Sequence, residues 1–318
     1  MINDFENYYQ NLYGDRWIKL RDALVAPKNK YILKINKFAD FDNDNTNVSL
    51  ISSAIAPIDL KFCYQIENIQ VPSPAATTNG LFNYYLLDLA SILAVSLLDI
   101  KENDLVLDMC AAPGGKTLCI VDYLQSQNQS PSQGKLVANE LSNNRRMRLI
   151  RTLKNYLPSE LINEKIKIKG FDASKWCLLS NEKNKYDKIL LDAPCSSEGH
   201  LLKSTDLIAQ WKVNRTKYLS KMQYSMLCSA LQCLKVGGKI AYCTCSISPL
   251  ENDFLIDKLI NDHRRKERFN ILSYSSSSSS SSHKLLSNIA ENTKYGKIIL
   301  PDNSGWGPLF IAVLERIS

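Results

Sequence analysis

A glycine-rich turn between an apolar run and a helix-like segment constrains the fold of this chain more than any other feature. Residues 105–107 are apolar, residues 108–117 read DMCAAPGGKT, and apolar positions at helical spacing follow from 118 to 124. This order predicts a strand, a turn and a helix whose electropositive N-terminus can bind a nucleotide-like ligand. Gly114 and Gly115 lack a Cβ, so the backbone can approach that ligand closely.

Strand-like and helix-like segments alternate from this turn to the end of the chain. We predict strands at 105–108, 135–140, 166–170, 188–192, 239–243 and 309–314, a further candidate strand at 269–272, and helices at 142–156 and 216–234. Alternation of this kind predicts an α/β, Rossmann-like fold, in which an open, mostly parallel sheet has helices on both faces.

The part of the chain before the glycine turn has a different pattern. We interpret residues 1–75 as an N-terminal, mainly helical extension and residues 76–318 as the main domain. Apolar positions at helical spacing between residues 8 and 24 predict helices that pack on the main domain.

Proline, asparagine and serine positions predict where regular structure stops. We expect Pro72 and Pro74 to end the extension and a helix to begin near Asn83. Asn and Asp crowd residues 40–47, which we predict to be a loop. The run of eight serines cannot bury enough apolar surface to offset its ordering entropy, so we predict a flexible loop over residues 273–283.

The composition fits a globular protein in a reducing compartment. Of the 318 residues 45% are apolar, enough to bury a core, and the net charge of +7 is compatible with a polyanionic partner. The nine cysteines include no Cys-x-x-Cys pair and there are three histidines, so we expect no disulfide framework and no metal site. The most apolar stretch, residues 84–98, is too short for a bilayer, and the acidic residues 1–6 do not resemble an import presequence.

Acidic side chains follow the predicted strands at their carboxyl ends, where sheets of this kind bind ligands. The first strand delivers Asp108 and the glycine turn, the second ends at Glu140, and Asp172 follows the third. Glu140 is placed to accept hydrogen bonds from ribose hydroxyls.

Two cysteines, Cys195 and Cys245, follow the fourth and fifth predicted strands, which we expect to be neighbours. A thiolate can add to carbon 6 of a pyrimidine, and carbon 5 can then attack an activated methyl group such as that of S-adenosylmethionine. Asp192 is placed to hold ring nitrogen 3 as charge develops there. Lys116 either favours the thiolate or orients Asp192. We therefore expect at least one of the two thiols to be catalytic.

Three motifs, at residues 108–117, at 192–196 (DAPCS) and at 244–252 (TCS followed by Glu-Asn), resemble those of the Sun-family RNA cytosine-5 methyltransferases, which include the Fmu/Sun and Nop/Nol-like proteins. The match spans roughly residues 81–318 and keeps the order of the motifs. The resemblance implies that Cys245 is the nucleophile, that Cys195 aids product release, and that Asp192 and Lys116 also serve catalysis. It implies an S-adenosylmethionine pocket lined by Cys110, Ala111, Ala112, Pro113, Gly114, Gly115, Lys116, Glu140, Arg145, Asp172 and Asp192. In DNA cytosine-5 methyltransferases the Pro-Cys cysteine, here Cys195, is the nucleophile, and the TCS motif favours the RNA assignment.

Three shorter motifs, at 13–17 (YGDRW), 84–88 (YYLLD) and 306–310 (WGPLF), are similar to those of the compact mitochondrial members. This resemblance implies a mitochondrial enzyme that methylates small-subunit rRNA, with an mTERF-type helical-repeat protein as a candidate partner. A mitochondrial tRNA is the alternative substrate, and a cytoplasmic or nuclear location is the alternative to the mitochondrion. Glu-Gly stands at positions 198–199, where the resemblance leads us to expect Asp-Arg.

Charge is the evidence for RNA contact in the sequence itself. Candidate phosphate-binding residues are Arg145, Arg146, Arg148, Arg151 and Lys154 on one predicted helix, Arg264, Arg265, Lys266 and Arg268 further along, and Lys19, Arg21, Lys28 and Lys30 in the extension. If these residues bind phosphates, affinity for RNA falls steeply with salt.

Two alternatives from other classes remain open. One is a non-catalytic RNA-binding ribosome-assembly factor with the same fold, which the intact thiols and glycine turn disfavour. The other is a nicotinamide-dependent dehydrogenase, which the lack of a Gly-x-Gly-x-x-Gly turn disfavours.

Overall fold

Two helices and a small antiparallel sheet make up the N-terminal part of the computed structural model. The structure describes residues 4–40, 55–57, 60, 62–67, 71–125, 133–264, 266–274 and 280–318. The N-terminal elements are α1 (Asp4–Tyr13), α2 (Arg16–Val25), β1 (Lys30–Ile35), β2 (Ile55–Pro57), β3 (Cys63–Glu67) and β4 (Tyr84–Leu87). The two helices agree with the predicted helical extension, whereas the four strands, in the order β2-β3-β1-β4, are not predicted by the sequence.

The predicted helix near Asn83 is wrong, because residues 84–87 form β4 instead. Tyr84 to Leu87 pair antiparallel with Ile32 to Ile35 of β1, so the sheet crosses the border predicted between residues 75 and 76. The next helix, α3, spans Leu89–Ser96 and begins after Asp88, whose carboxylate accepts a hydrogen bond from the Ala90 amide at 2.9 Å. Cross-strand pairing and this N-cap place the helix start about six residues later than predicted.

The main sheet follows the predicted alternation of strands and helices. The first half of this region of the chain contains β5 (Leu105–Asp108), α4 (Gly115–Leu124), β6 (Lys135–Asn139), α5 (Asn143–Tyr156), α6 (Ser159–Lys165), β7 (Ile166–Lys169), a 3-10 helix (Ala173–Leu178), β8 (Tyr186–Asp192), α7 (Glu198–Leu201) and α8 (Thr205–Ala209). Its second half contains α9 (Val213–Cys233), β9 (Leu234–Thr244), α10 (Asp253–Ile260), β10 (Phe269–Leu272), α11 (Ser281–Ile289), β11 (Ala290–Asn292), β12 (Lys297–Ile299), α12 (Pro301–Ser304) and β13 (Leu309–Arg316). All the predicted strands are confirmed, and so is the candidate strand at 269–272.

The strand order places the ends of β5, β8 and β9 side by side. Over the described ranges the order is β11-β12-β13-β9-β8-β5-β6-β7, with β10 also paired to β13. The strands β5 to β9 are parallel, whereas β13 runs antiparallel to β9. The chain leaves β5 towards β6 on one side and returns to β8 on the other. Such a reversal opens a crevice at the carboxyl ends of these strands.

Two buried apolar layers cover the two faces of the sheet. One layer draws on α3, α4, α5 and α11, and the other on α9, α10 and the N-terminal helices α1 and α2. In the second layer Phe5 and Tyr9 pack against each other and against both Trp17 and Trp211, with ring centroids 4.7 to 6.0 Å apart. The N-terminal helices are therefore part of the core, as predicted for a cover that packs on the main domain.

Two of the predicted loops fall partly outside the described residues. These are the asparagine-rich loop, of which residues 41–47 are not described, and residues 275–279 of the serine run. The predicted end of the serine loop at residue 283 is wrong, because α11 already begins at Ser281 and buries Ser282 and Leu286. Contact of that helix with α3 overrides the weak helix propensity of serine.

Arg16 connects α2 to the C-terminal part of the chain through two carboxylates. Its guanidinium donates to Glu291 at 2.6 and 2.7 Å and to Asp302 at 2.7 and 3.0 Å. Asp302 has only 2% of its side chain exposed, whereas Arg16 is about one-third exposed.

We expect Arg16→Met to lower the free energy of unfolding by about 1–2 kcal/mol, because it leaves a buried carboxylate unpaired while solvent screens part of the loss. Urea denaturation measures this. The control Arg21→Met removes only surface ion pairs on the same helix and is expected to change stability by less than about 0.5 kcal/mol; equal losses would contradict the prediction.

Candidate active site

The two strand-end cysteines meet in the structure. Cys195 Sγ lies 2.9 Å from Cys245 Sγ, because β8 and β9 are neighbouring parallel strands that end side by side. Ser197, in a left-handed conformation after the first cysteine, places its hydroxyl 3.1 Å from Cys245 Sγ and 3.6 Å from Cys195 Sγ. The expectation that these thiols follow adjacent strands is confirmed.

The two thiols differ in acidity. The pKa of Cys245 is lowered because Cys195 and Ser197 both donate hydrogen bonds to its sulfur, and these outweigh burial. The pKa of Cys195 is raised well above its usual range because its proton is held against Cys245 and the group is buried. The shorter contact from Ser197 goes to Cys245, so the second donor favours a thiolate at that residue.

Lys116 pairs with Asp192 beside the thiols. Its Nζ donates to Asp192 Oδ2 at 2.8 Å, so of the two predicted roles for Lys116 the contact matches orientation of Asp192. Burial disfavours the charge on Lys116, but attraction to Asp192 outweighs it and its pKa is raised.

Two cavities adjoin at this pair. The larger, of about 600 Å³, is bordered by Cys245, Ser197 and the segment after α2. The smaller, of about 180 Å³, lies over the glycine turn. Both are lined by Asp88, Ser91, Lys116 and Asp192. A ligand over the turn and a ligand at the thiols would therefore meet at Lys116 and Asp192.

Most of the predicted cofactor-binding residues line the smaller cavity. Its lining includes Cys110, Ala111, Ala112, Pro113, Gly115, Lys116 and Asp192, together with Asp108. Gly114 has φ +118°, and a Cβ there would lie 3.0 Å from Thr152, so only glycine suits this turn. Asp108 is fully buried, and burial raises its pKa to about 7 although Thr117 donates to it at 2.8 Å.

Glu140, Arg145 and Asp172 lie at the ends of β6 and β7 and the start of α5. Glu140 accepts a hydrogen bond from the Ser142 amide at 2.9 Å, and its buried Oε2 has no hydrogen-bond partner among the described residues, although Arg145 Nη1 is 3.4 Å away. Arg145 also donates to the Ala112 carbonyl at 2.8 Å, which connects it to the glycine turn. Asp172 caps the following 3-10 helix by accepting from the Ser174 amide and hydroxyl.

Two buried carboxylates next to the thiols were not identified as site residues from the sequence. Glu251 accepts hydrogen bonds from the Ser196 amide and hydroxyl, from Gln223 and from Ser246. Glu198 accepts from Tyr9 of α1 and from the Ile247 amide, and its Oε1 lies 3.0 Å from Ser246 Oγ. The one sequence signal for Glu198 was its departure from the expected Asp-Arg.

Glu198 gives the protein a pH-dependent stability. Burial, followed by repulsion from Glu251, raises its pKa to about 7 from an ordinary value of 4.5. The folded state therefore holds a proton that the unfolded chain has released, and stability falls as pH rises from about 4.5 through 7. This difference in pKa between the folded and the unfolded state corresponds to about 3 kcal/mol of folding stability.

We expect Glu198→Gln to remove this part of the pH dependence. Between pH 5 and pH 8, wild-type protein should lose about 2–3 kcal/mol more stability than the variant, as measured by urea denaturation. Asp108 has a raised pKa in both proteins, so its contribution cancels in the comparison. Parallel curves of stability against pH would contradict the assignment of the proton to Glu198.

The basic residues singled out in the sequence fall into paired and exposed groups. Arg21, Lys28 and Lys30 form ion pairs with neighbouring carboxylates, and Arg264 pairs with Asp262. Exposed on α5 are Arg145, Arg148, Arg151 and Lys154, whereas Arg146 is partly buried against backbone carbonyls. Arg265 lies outside the described residues. Across the ranges that the structure describes there is no metal-binding group of His, Cys, Asp and Glu side chains, and no helix that could cross a membrane.

Comparison with known proteins gives one family over most of the chain. A family model described as 16S rRNA methyltransferase RsmB/F matches residues 95–315. The mitochondrial tRNA (cytosine(34)-C(5))-methyltransferase of Danio rerio is 29% identical, over 100% of this chain and 87% of its own length. The 5-cytosine rRNA methyltransferase NSUN4 of Mus musculus is 28% identical, over 99% of this chain and 88% of its own.

Solved structures share the fold. NSun6 from Pyrococcus horikoshii has a TM-score of 0.69 at 19% identity, covering 98% of this chain and 97% of its own. A methyltransferase homolog from the same organism has a TM-score of 0.67 at 21% identity, covering 99% and 94%. At this level of sequence identity the comparison shows a shared architecture only, namely a Rossmann-like sheet with an N-terminal part. It confirms the predicted fold class.

Proposed function

The chain belongs to the RsmB/F family of RNA methyltransferases, and on that premise we propose that it methylates carbon 5 of a cytosine in mitochondrial small-subunit rRNA through a covalent adduct with Cys245. It is an S-adenosylmethionine-dependent RNA cytosine-5 methyltransferase. The observation that carries the mechanism is the 2.9 Å contact between two thiols at the edge of a cavity that adjoins a second cavity over the glycine turn.

The residues around the smaller cavity fit S-adenosylmethionine. Glu140 and Arg145 are not among the residues that line the cavity, but Arg145 joins them to the glycine turn through the Ala112 carbonyl. Glu140 Oε2, which has no hydrogen-bond partner among the described residues, is an acceptor for ribose hydroxyls, and the glycine turn lets the backbone approach a charged ligand closely. Asp192 and Lys116 lie where the two cavities meet. When bound there, the cofactor supplies an electrophilic methyl group. We assign Asp172 to the outer end of this pocket, since it follows β7.

Three side chains act on the cytosine in the first step. The Cys245 thiolate forms a bond to carbon 6, and the electron pair of the C5–C6 double bond moves into the ring. The Asp192 carboxylate takes a proton from the Lys116 ammonium, 2.8 Å away, and passes it to ring nitrogen 3. Carbon 5 is then nucleophilic and faces the cavity shared with the methyl donor.

Release of the product reverses the addition. The proton on carbon 5 is lost to a base, the C5–C6 double bond forms again, and the C6–sulfur bond breaks with its electron pair returning to Cys245. Ring nitrogen 3 returns its proton to the Asp192–Lys116 pair. Cys195 lies beside the breaking bond, so we assign it to this step. Because Cys195 and Ser197 stabilise a thiolate at Cys245, the sulfur is also a better leaving group.

The substrate class is an RNA whose target cytosine is unpaired or flipped out of its stack, because the thiols lie below the surface at the edge of a cavity. A mouse relative is named for rRNA, and a zebrafish relative is named for tRNA and for the mitochondrion, at nearly equal identity. We place the enzyme in the mitochondrion and favour rRNA, with tRNA as the second candidate. An mTERF-type helical-repeat partner remains part of this proposal.

Methylation of defined transcripts tests the proposed function. Purified protein with S-adenosylmethionine is incubated with mitochondrial small-subunit rRNA or with mitochondrial tRNA, and 5-methylcytosine is measured by nucleoside mass spectrometry. We expect modification of the rRNA. Modification of the tRNA alone would favour the second candidate, and no modification of either, with or without mitochondrial extract to supply a partner, would favour the assembly factor.

We expect RNA to contact the rim of the larger cavity rather than α5. Lys203, which is exposed at this rim just after α7, is placed to bind a phosphate next to the flipped cytosine. Lys203→Ala should weaken RNA binding several-fold and reduce the slope of log affinity against log salt by about 1. Filter binding at several salt concentrations measures both. The matched control is Lys154→Ala on α5, and a larger effect of that change would assign RNA binding to α5 instead.

A further inference from the structure

Glu251 connects the two loops that bear the thiols. Its Oε2 accepts from the Ser196 amide at 3.1 Å and from Gln223 at 2.6 Å, and its Oε1 accepts from the hydroxyls of Ser196 and of Ser246, the latter at 2.9 Å. Ser196 directly follows Cys195, and Ser246 directly follows Cys245. One fully buried carboxylate thus binds the residue after each thiol.

Glu198 extends this connection to the N-terminal helices. Its Oε1 accepts from the Tyr9 hydroxyl at 2.6 Å and lies 3.0 Å from Ser246 Oγ, and its Oε2 accepts from the Ile247 amide at 3.2 Å. Glu198 is also fully buried, and its donors are neutral groups. The loop after Cys245 is therefore held by α1 on one side and by Glu251 on the other.

The hydrogen atoms in this network of hydrogen bonds can be assigned by counting donors and acceptors. Ser246 Oγ accepts from the Ser248 amide at 3.0 Å and lies within hydrogen-bond distance of both Glu198 and Glu251, but it has one hydrogen to donate. Glu251 has four donors around it, which suits a carboxylate. A proton on Glu198 satisfies the remaining contact, because Glu198 then donates to Ser246 and Ser246 donates to Glu251.

We propose that Tyr9, Glu198, Ser246 and Glu251 form a positioning chain that sets the geometry of the two thiols, so that the N-terminal helix α1 is required for turnover. The proposal rests on the proposed function and assigns a role to the N-terminal extension. Tyr9, Glu198, Ser246 and Glu251 are positioning residues, since none of them contacts the reacting atoms. A thiol that is misplaced by about 1 Å reacts about 100-fold more slowly with its target. Loss of the positioning chain therefore lowers kcat.

Substitutions that each remove or replace one hydrogen-bonding group test the positioning chain. We expect Tyr9→Phe to lower kcat about 10-fold and Glu198→Ala about 100-fold, with the KM for S-adenosylmethionine unchanged. Glu198→Gln should retain most of the activity at neutral pH, because its amide can donate to Ser246 and Tyr9 and accept from the Ile247 amide. The control Tyr224→Phe removes a similar phenol–carboxylate bond, 2.6 Å to Asp262, away from the thiols, and should leave kcat unchanged.

A second measurement is independent of methylation. The rate at which iodoacetamide alkylates Cys245, followed by peptide mass spectrometry, should change in Tyr9→Phe and Glu198→Ala and should match wild type in Glu198→Gln and Tyr224→Phe. If wild-type protein methylates no RNA, the proposed function fails while the alkylation rates still report on the chain. Wild-type kcat and alkylation rates in folded Tyr9→Phe and Glu198→Ala would overturn the inference, as would a Glu198→Gln variant no better than Glu198→Ala.

Discussion

Cys245→Ala protein is expected to form no measurable 5-methylcytosine, with kcat at least about 1,000-fold below wild type. Without the sulfur, carbon 6 gains no bond, carbon 5 does not become nucleophilic, and the methyl group has no acceptor. Affinity for S-adenosylmethionine should be unchanged, since Cys245 borders the larger cavity and the glycine turn lines the smaller one. Nucleoside mass spectrometry and calorimetric titration measure the two quantities.

The matched control for this variant is Cys228→Ala, a partly buried cysteine on α9 that lines neither of the two cavities. It should methylate RNA at the wild-type rate. Cys245→Ser tests the chemistry further, because a hydroxyl with Cys195 beside it is not ionised at neutral pH and is a poor nucleophile. If Cys245→Ala still forms a covalent adduct with RNA through Cys195, the roles of the two thiols are reversed.

The arrangement of the thiols could be predicted from the sequence because it depends on local patterns. Short apolar runs located the parallel strands to within a few residues, and residues that follow neighbouring parallel strands must lie at the same edge of the sheet. Cys195 and Cys245 are therefore close for a reason that is visible without coordinates. Asp192 and Lys116 meet for the same reason, since β5 and β8 are also neighbours.

The N-terminal sheet could not be predicted in the same way. Its strands β1 and β4 are separated by about 50 residues, and the continuous apolar stretch that contains β4 predicts the start of a helix. Periodicity does not distinguish a short buried strand from a buried helix. Pairing with β1 decides the matter, and pairing is a property of the whole fold rather than of residues 84–87.

Glu198 is not predicted as a site residue because a single glutamate after a turn normally lies in solvent, and Glu251 belongs to the motif at 244–252 but has no role assigned by it. Glu198 is buried because Tyr9 and the Ile247 amide donate to it and Ser246 lies against it, from two distant parts of the chain. No spacing in the sequence relates residue 9 to residue 198. Sequence motifs therefore identified the groups expected to react, and the structure was needed to find the groups that hold them in place.

Cys195→Ala protein is expected to accumulate a covalent complex with RNA. Cys245 is intact in this variant, so addition to carbon 6 and methylation of carbon 5 proceed, whereas release has lost the group beside the C6–sulfur bond. We expect turnover to fall about 100-fold and a protein–RNA band to appear on denaturing gels when S-adenosylmethionine is present. The loss of one of two hydrogen-bond donors to Cys245 should also raise the pKa of that thiol, so the adduct should form faster as pH rises from 7 to 9.

The double variant Cys195→Ala/Cys245→Ala separates this adduct from other crosslinks. It should give no band, because the bond to RNA is made by Cys245 alone, and Cys195→Ala/Cys228→Ala should give the same band as the single variant. A Cys195→Ala protein that turns over at the wild-type rate would remove Cys195 from the release step. In that case the 2.9 Å contact between the sulfurs would serve only to lower the pKa of Cys245.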